Sequence, residues 1–191
     1  YPVEDRMHFD ATDIEISYLP YGHAFEAAVL GICFVFGMRI GYYQGNPLKL
    51  IEDCQVLKPT FFPSVPRLFN KIYSTISGRM NGATGCKKWL VERGLASKIA
   101  GVAANPPVYT SGCYDKLIFR KVADLLGGQV RGMVTGSAPI DGHTLSFLKA
   151  VFCCPITEGY GLSETSGAAT ATSSLDPVIG HVGGPTETCK I

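Results

Sequence analysis

Residues 130–165 read VRGMVTGSAPIDGHTLSFLKAVFCCPITEGYGLSET, and this stretch decides the fold. Val130 to Thr135 has the length and apolar content of a buried strand, and it breaks at Gly136-Ser137-Ala138-Pro139. Asp141 then opens a helix with Leu145, Leu148 and Phe152 facing inward. A second strand near Pro155 to Glu158 follows and runs straight into a glycine-punctuated loop. A strand, a crossover helix and another strand imply parallel pairing in a layered α/β fold.

The same alternation runs upstream. Glu15 to Leu19 reads as a short strand, Pro20-Tyr21-Gly22 breaks it, and the apolar run Ala24 to Gly37 forms a buried helix. Arg39 to Tyr43 is a second strand. Asn46 and Pro47 then cap and open a helix with Leu48, Ile51 and Leu57 on its apolar side. Thr60 to Pro63 is a third strand, and Ser64 with Pro66 repeats the cap-then-proline signal before a helix carrying Leu68, Phe69, Ile72 and Ile76. The glycine-rich stretch Ser77 to Gly112 separates two halves and holds a helix around Lys87 to Ala103, after which another helix runs from about Tyr114 to Leu126. The expected organisation is therefore a first α/β segment over 1–76, a crossover or insertion over 77–112, and a second α/β segment over 113–191. These would be parallel-sheet subdomains, with no internal repeat and no low-complexity segment.

At 191 residues and 46% apolar content the chain can bury a sizeable core. Seventeen Lys and Arg against sixteen Asp and Glu leave a net charge of +1, so no broad basic field attracts nucleic acid, and none is expected as a partner. The seven cysteines have no regular spacing and no Cys-x-x-Cys pair, and read as reduced core thiols. Neither an Asn-x-Ser/Thr sequon nor a signal peptide appears, which suits a protein facing the cytosol. The most apolar stretch, Ala27 to Met38, is uncharged for 12 residues, whereas a membrane span needs about 20. Because the chain starts at Tyr1 and stops at Ile191 inside what looks like a strand, it reads as an internal fragment of a longer protein.

Ligands of open α/β sheets bind beyond the carboxyl ends of the strands, so the loops that follow the strands are the ones to inspect. In Gly136-Ser137-Ala138-Pro139 small residues let a planar ligand approach the backbone, although an ordinary strand-to-helix turn looks the same. The loop Glu158-Gly159-Tyr160-Gly161-Leu162-Ser163-Glu164-Thr165 is more telling. Tyr160 can stack on a purine, the hydroxyls can donate to phosphate oxygens, and Glu164 offers the hard oxygen that magnesium prefers. A capped turn opening a helix at Ser163 explains the polar residues but not a tyrosine between two glycines. The phosphate-loop, dinucleotide, zinc-protease and Gly-x-Ser-x-Gly signatures are all missing. His8, His143 and His181 have no partner the sequence can identify and read as surface or capping residues.

His23 stands in a more informative context. Ser17-Tyr18-Leu19-Pro20-Tyr21-Gly22-His23-Ala24-Phe25-Glu26 resembles the Leu-Pro-x-x-His-x-x-Glu segment of long-chain acyl-CoA synthetases, members of the adenylate-forming superfamily. Pro59 to Lys71, with Val65-Pro66-Arg67, resembles that family's Val-Pro-Arg segment. Gly128 to Pro139 is similar to its Gly-Ser-Ala-Pro adenine-site strand, Tyr160 to Thr165 to its Tyr-Gly-x-Ser/Thr-Glu motif, and Gly180 to Pro185 to its Gly-x-x-Gly-x-Pro segment. Each is short, but five in the family's order cover nearly the whole chain.

The resemblance implies ATP-dependent activation of a long-chain fatty acid to an acyl-adenylate and its transfer to coenzyme A. It places Gly136, Ser137, Ala138 and Pro139 on one wall of an adenine pocket and Glu158, Gly159 and Tyr160 on the other, with Gly161 continuing the loop. Ser163 would contact the α-phosphate, Glu164 would hold Mg2+, Thr165 would support the loop, and His23 would lie near the acyl carboxylate beside a helix shaping the fatty-acid tunnel. The family's phosphate loop would lie before Tyr1, and its ribose-binding Asp, hinge and C-terminal Lys beyond Ile191, so the isolated fragment should be inactive. The resemblance also implies a parent held on the cytosolic face of the endoplasmic reticulum or mitochondrial outer membrane by an N-terminal segment not in this sequence. Other readings that stay open are a medium-chain, fatty acyl-AMP or coumarate-type ligase, or a non-catalytic nucleotide-binding domain. The long spacer between Val65-Pro66-Arg67 and Gly136 favours the long-chain branch.

Overall fold

A computed structural model of the chain describes residues 7–187. The strand expected at Ile191 and the seventh cysteine, Cys189, lie outside them. Seven strands are formed among the described residues: β1 (Ile14–Ser17), β2 (Arg39–Tyr42), β3 (Phe61–Ser64), β4 (Gly132–Thr135), β5 (Ile156–Tyr160), β6 (Thr170–Ala171) and β7 (Gly184–Pro185). They make one sheet in the order β2-β1-β3-β4-β5-β6-β7, and pairing of β3 with β4 runs it across both α/β segments. The first five strands are parallel, as the strand–helix alternation predicts, whereas β6 and β7 add antiparallel at one edge. Two residues are too few to show a period of two, so these edge strands left no sequence signal.

Helices α1 (Ala24–Phe36), α2 (Leu50–Leu57), α3 (Pro66–Asn81), α4 (Gly85–Val102), α5 (Arg120–Ala123) and α6 (Gly142–Phe152) connect the strands. From β1 to β2 the chain moves one way along the sheet, and from β2 through β3 and β4 to β5 it moves the other way. Right-handed crossovers in opposite directions put their helices on opposite faces. Accordingly α1 packs Val29 and Cys33 against Phe61 on one face. On the other face Phe62, Met133 and Ile156, adjacent in register, join Ile16 to form the floor for α2, α3 and α6.

Several local expectations need correcting. Ser64 does not cap α3: it ends β3 buried, its hydroxyl oxygen accepting from Tyr18 Oη at 2.8 Å, and Val65 takes the cap position before Pro66. Asn46 does cap, its Oδ1 accepting from Leu48 N at 3.0 Å, but what it caps is a 3-10 turn, Pro47–Lys49, that leads into α2. Leu48 is therefore exposed, and Leu50 and Cys54 carry the buried face. The apolar run of α1 is only half buried, because one sheet covers one side of a helix; Phe34, Val35 and Phe36 stay exposed. In place of one helix from Tyr114 to Leu126 there is a wide π turn (Asp115–Phe119), then α5, then a 3-10 turn (Asp124–Leu126). Of the cysteines expected in the core, Cys33, Cys54 and Cys154 are buried, but Cys86 and Cys113 are exposed; the six described thiols are all free.

Charged groups fix the layers. Lys98 of α4 is buried and donates to Asp115 Oδ1 at 2.7 Å and to the Tyr109 carbonyl, which is how an ammonium is tolerated there. Asp13, just before β1, accepts from Arg131 Nε at 2.8 Å and Thr60 Oγ1 at 2.6 Å, tying β1 to the starts of β3 and β4. Burial opposes ionisation of Asp13, but Arg131, Thr60 and the Asp10 N–H together hold its carboxyl down to about 2. Glu15, in register with Phe61 on the α1 face, has the opposite environment. Neither of its carboxylate oxygens has a hydrogen-bond partner; burial, with Glu26 adding to it, pushes the carboxyl up to about 8. Glu26 of α1 is buried too, one oxygen accepting from the Ser17 hydroxyl and the other unpartnered.

Candidate functional site

Register places Thr135 opposite Glu158, so the loops leaving β4 and β5 emerge side by side. Gly136 comes so near the Gly159 carbonyl that a Cβ at 136 would stand 3.2 Å from that oxygen. Ser137 then takes φ 69°, a left-handed backbone that costs a non-glycine residue about 1 kcal/mol or more and recurs at functional sites. Ser137, Ala138 and Pro139 are exposed.

The second loop is held shut by its own backbone. Ala169 N donates to Tyr160 O at 2.8 Å to close the β5–β6 hairpin, and Gly167 N donates to Leu162 O at 3.1 Å. Ser163–Thr165 form a 3-10 turn, not the start of a longer helix. The Thr165 hydroxyl accepts from Leu162 N at 2.8 Å and donates to Leu162 O at 3.1 Å. Ser163 and Glu164 are left exposed at its tip. Gly161 is required sterically, since a Cβ there would fall 1.9 Å from Gly167 O.

Between α1 and the sheet lies a cavity of about 490 Å³, within the size range of about 300–1,000 Å³ typical of ligand pockets. His23, Ser137 and Ser163 stand at the end where the loops emerge; Ala24, Phe25, Ala28, Val29 and Ile32 of α1 supply the apolar wall. His23 is the N-cap of α1, its Nδ1 accepting from Phe25 N at 3.1 Å, which leaves Nε2 for a ligand.

The residues singled out from sequence thus divide between two faces. His23, Gly136, Ser137, Gly159, Gly161 and Ser163 line the cavity. Glu158 and Tyr160 alternate with Gly159 along β5 and belong to the opposite face, the one covered by α6. Burial raises the Glu158 carboxyl, opposed by Lys149 of α6 and by a hydrogen bond from Gly180 N–H. Tyr160 is half exposed. Ala138, Pro139, Glu164 and Thr165 lie outside the cavity wall. Sequence reasoning placed the apolar helix along a tunnel without singling out Ala28 or Ile32, and it missed Gly167 as a lining residue. Ala24, Ala28 and Ile32 recur every four residues, which is the spacing that could have revealed one helix face.

Among the described residues no three His, Cys, Asp or Glu side chains gather as a protein metal cage. A single exposed carboxylate such as Glu164 does fit magnesium, which usually takes one or two protein carboxylates and completes its shell with water and substrate phosphates.

The loops leaving β4 and β5 thus meet beyond the carboxyl ends of a parallel sheet, over an apolar cavity, where ligands of open α/β sheets bind. The profile of the AMP-binding enzyme family matches residues 2–191, and the chain belongs to that family. It is 39% identical over 179 residues to fatty acyl-CoA synthetase A of Dictyostelium discoideum, covering 94% of this chain and 26% of that protein. It is 42% identical over 173 residues to long-chain-fatty-acid--CoA ligase 5 of Mus musculus (91% and 25%), and 38% identical over 189 residues to the peroxisomal long chain acyl-CoA synthetase 6 of Arabidopsis thaliana (97% and 26%). The chain therefore spans about a quarter of the length of these curated relatives. Among solved structures it resembles the AMP complex of O-succinylbenzoate coenzyme A synthetase from Bacillus subtilis, with TM-score 0.57 and 13% identity over 99% of this chain and 29% of that one. It also resembles the N-terminal domain of FACL13 from Mycobacterium tuberculosis, with TM-score 0.56 and 15% identity over 90% and 32%. At such identities these two structures support the fold.

Proposed function

We propose that the protein carrying this chain is a long-chain acyl-CoA synthetase. The fatty carboxylate attacks the α-phosphate of ATP, pyrophosphate leaves, and the coenzyme A thiol then displaces AMP from the acyl-adenylate to give the thioester. The observation that carries this reading is the apolar cavity under α1, whose polar end at His23, Ser137 and Ser163 meets both glycine loops. An alkyl chain suits the apolar wall of the cavity, and its carboxylate would then lie beside the loops.

In this reading Gly136 to Pro139 and Glu158 to Tyr160 flank adenine, Tyr160 stacks on the base, and Gly161 lets the loop close against it. Ser163 donates to the α-phosphate and the hydroxyl of Thr165 holds the turn. His23 Nε2 donates toward the acyl carboxylate, helping to hold it for in-line attack; positioning of this kind supplies up to about 7–11 kcal/mol in well-oriented systems. Mg2+ held by Glu164 would neutralise charge on the phosphates. Fatty acid, ATP and coenzyme A are the proposed partners. No helix among the described residues is long and apolar enough to cross a membrane. We place the parent on the cytosolic face of an organelle membrane, the endoplasmic reticulum or mitochondrial outer membrane, held there through residues outside this chain.

In the full-length enzyme, Glu164→Ala is expected to slow acyl-adenylate formation at least tenfold, equivalent to about 1.4 kcal/mol. The rate of pyrophosphate release measured across magnesium concentrations checks this. An unchanged rate at limiting magnesium would remove Glu164 from the proposed role.

A further inference from the structure

The end of the cavity under α1 remote from the glycine loops is lined by aromatic side chains. α1 begins at the carboxyl ends of the strands, where His23 lies, and runs back toward their amino ends. The cavity wall follows it from Ala24 to Ile32, a length of about 12 Å at the α-helical rise. It ends against Phe61, the first residue of β3, and against Phe9 and Met7 from the segment that precedes β1. Phe9 is the centre of this floor. Its ring meets Phe61 edge-on at 4.8 Å and Phe36, the last residue of α1, at 5.8 Å. The Arg131 guanidinium lies 5.7 Å from the Phe9 ring centroid, and Arg131 is itself fixed by Asp13 and by the His8 carbonyl. Met7 packs where β4 has no side chain: a Cβ at Gly132 would stand 2.5 Å from Met7 Sδ.

We infer that Phe9 is a specificity-determining residue that sets how long an acyl chain the site accepts, with the Asp13–Arg131 pair holding its ring in place. This rests on the acyl-activating reading above. A methyl terminus reaching the floor meets the Phe9 ring, which packs against Phe61 and Phe36 with the Arg131 guanidinium beside it. A shorter chain leaves that end of the cavity unfilled and loses apolar contact. Each additional methylene accommodated in an apolar pocket is worth tenfold or more in discrimination.

The test uses the full-length enzyme and saturated fatty acids of increasing length, with kcat/KM measured by pyrophosphate release. Phe9→Ala is expected to shift the ratio of kcat/KM for chains two to four carbons beyond the wild-type optimum, relative to the optimum itself, by at least tenfold toward the longer acids. Phe9→Leu, which shortens the plug but keeps it apolar, should move it the same way by less. Ile32→Phe, which thickens the wall just above the floor, should move it toward shorter acids. The last two variants keep the test standing if Phe9→Ala does not fold. Length profiles superimposable on wild type in an active Phe9→Leu or Ile32→Phe enzyme would overturn the inference and leave the acyl-activating reading intact. A wild-type enzyme that turns over no fatty acid of any length would instead overturn both.

Discussion

Replacing Gly161 by alanine is expected to lower acyl-adenylate formation at least a hundredfold while leaving the parallel sheet folded. The new Cβ would fall 1.9 Å from Gly167 O, 2.5 Å from its carbonyl carbon and 2.9 Å from Ala168 N, all backbone atoms that no rotamer change can clear. Gly167 cannot retreat, because its own φ is 104° and its α-carbon already faces the Ala24 carbonyl and Ala28 on α1. The turn carrying Ser163, Glu164 and Thr165 must therefore shift bodily. A displacement of about 1 Å at positioned groups costs on the order of a hundredfold. β5 ends before this loop and the core residues Ile156 and Met133 do not touch it, so far-ultraviolet circular dichroism should stay native. Steady-state rates and spectra of Gly161→Ala, measured together, check this; near-wild-type turnover would contradict the packing described.

The second large effect concerns stability and has the less usual sign. Glu15→Leu is expected to make the protein more stable at neutral pH. Wild-type Glu15 is buried on β1 with both carboxylate oxygens unpartnered and Glu26 nearby, and folding raises its carboxyl from 4.5 to about 8. A raised folded-state value means the native state holds a proton the unfolded chain has released. That contribution is fully present below about 4.5 and is lost as pH climbs through about 8. At pH 7 the cost is on the order of 3 kcal/mol. Leucine carries no proton and would join Val29, Cys33 and Phe61 in the cluster under α1. Thermal melts of wild type and Glu15→Leu between pH 5 and pH 8 should diverge as pH rises, the variant gaining several degrees at the upper end. Parallel curves would show that Glu15 is paired in the native protein.

The parallel core was legible because its signals are local and repeated. Asp141 caps α6 through Thr144 N at 2.9 Å as its position predicts, and Phe69, Ile72 and Ile76 face the core at helical spacing. What could not be read depends on contacts distant in sequence. Ser64 looked like a cap because serine before Val65-Pro66 fits the pattern, but Tyr18, 46 residues away, claims its oxygen. The division of the β5 residues between two faces follows from the strand reaching Tyr160, two residues past its expected end at Glu158. That placement sends Glu158 and Tyr160 to one side and Gly159 to the cavity, whereas the sequence alone groups all three. Phe9 had no motif to mark it, since its place on the cavity floor arises only when the segment before β1 meets β3 and the end of α1.

The most direct measurement is fatty-acid-dependent exchange of labelled pyrophosphate into ATP by the full-length enzyme, because exchange reports reversible adenylation without coenzyme A. Exchange that requires magnesium, depends on a long-chain fatty acid and is much weaker with short or aromatic acids is the expected result. Exchange that is absent, or that proceeds equally well with no fatty acid present, would contradict the assignment.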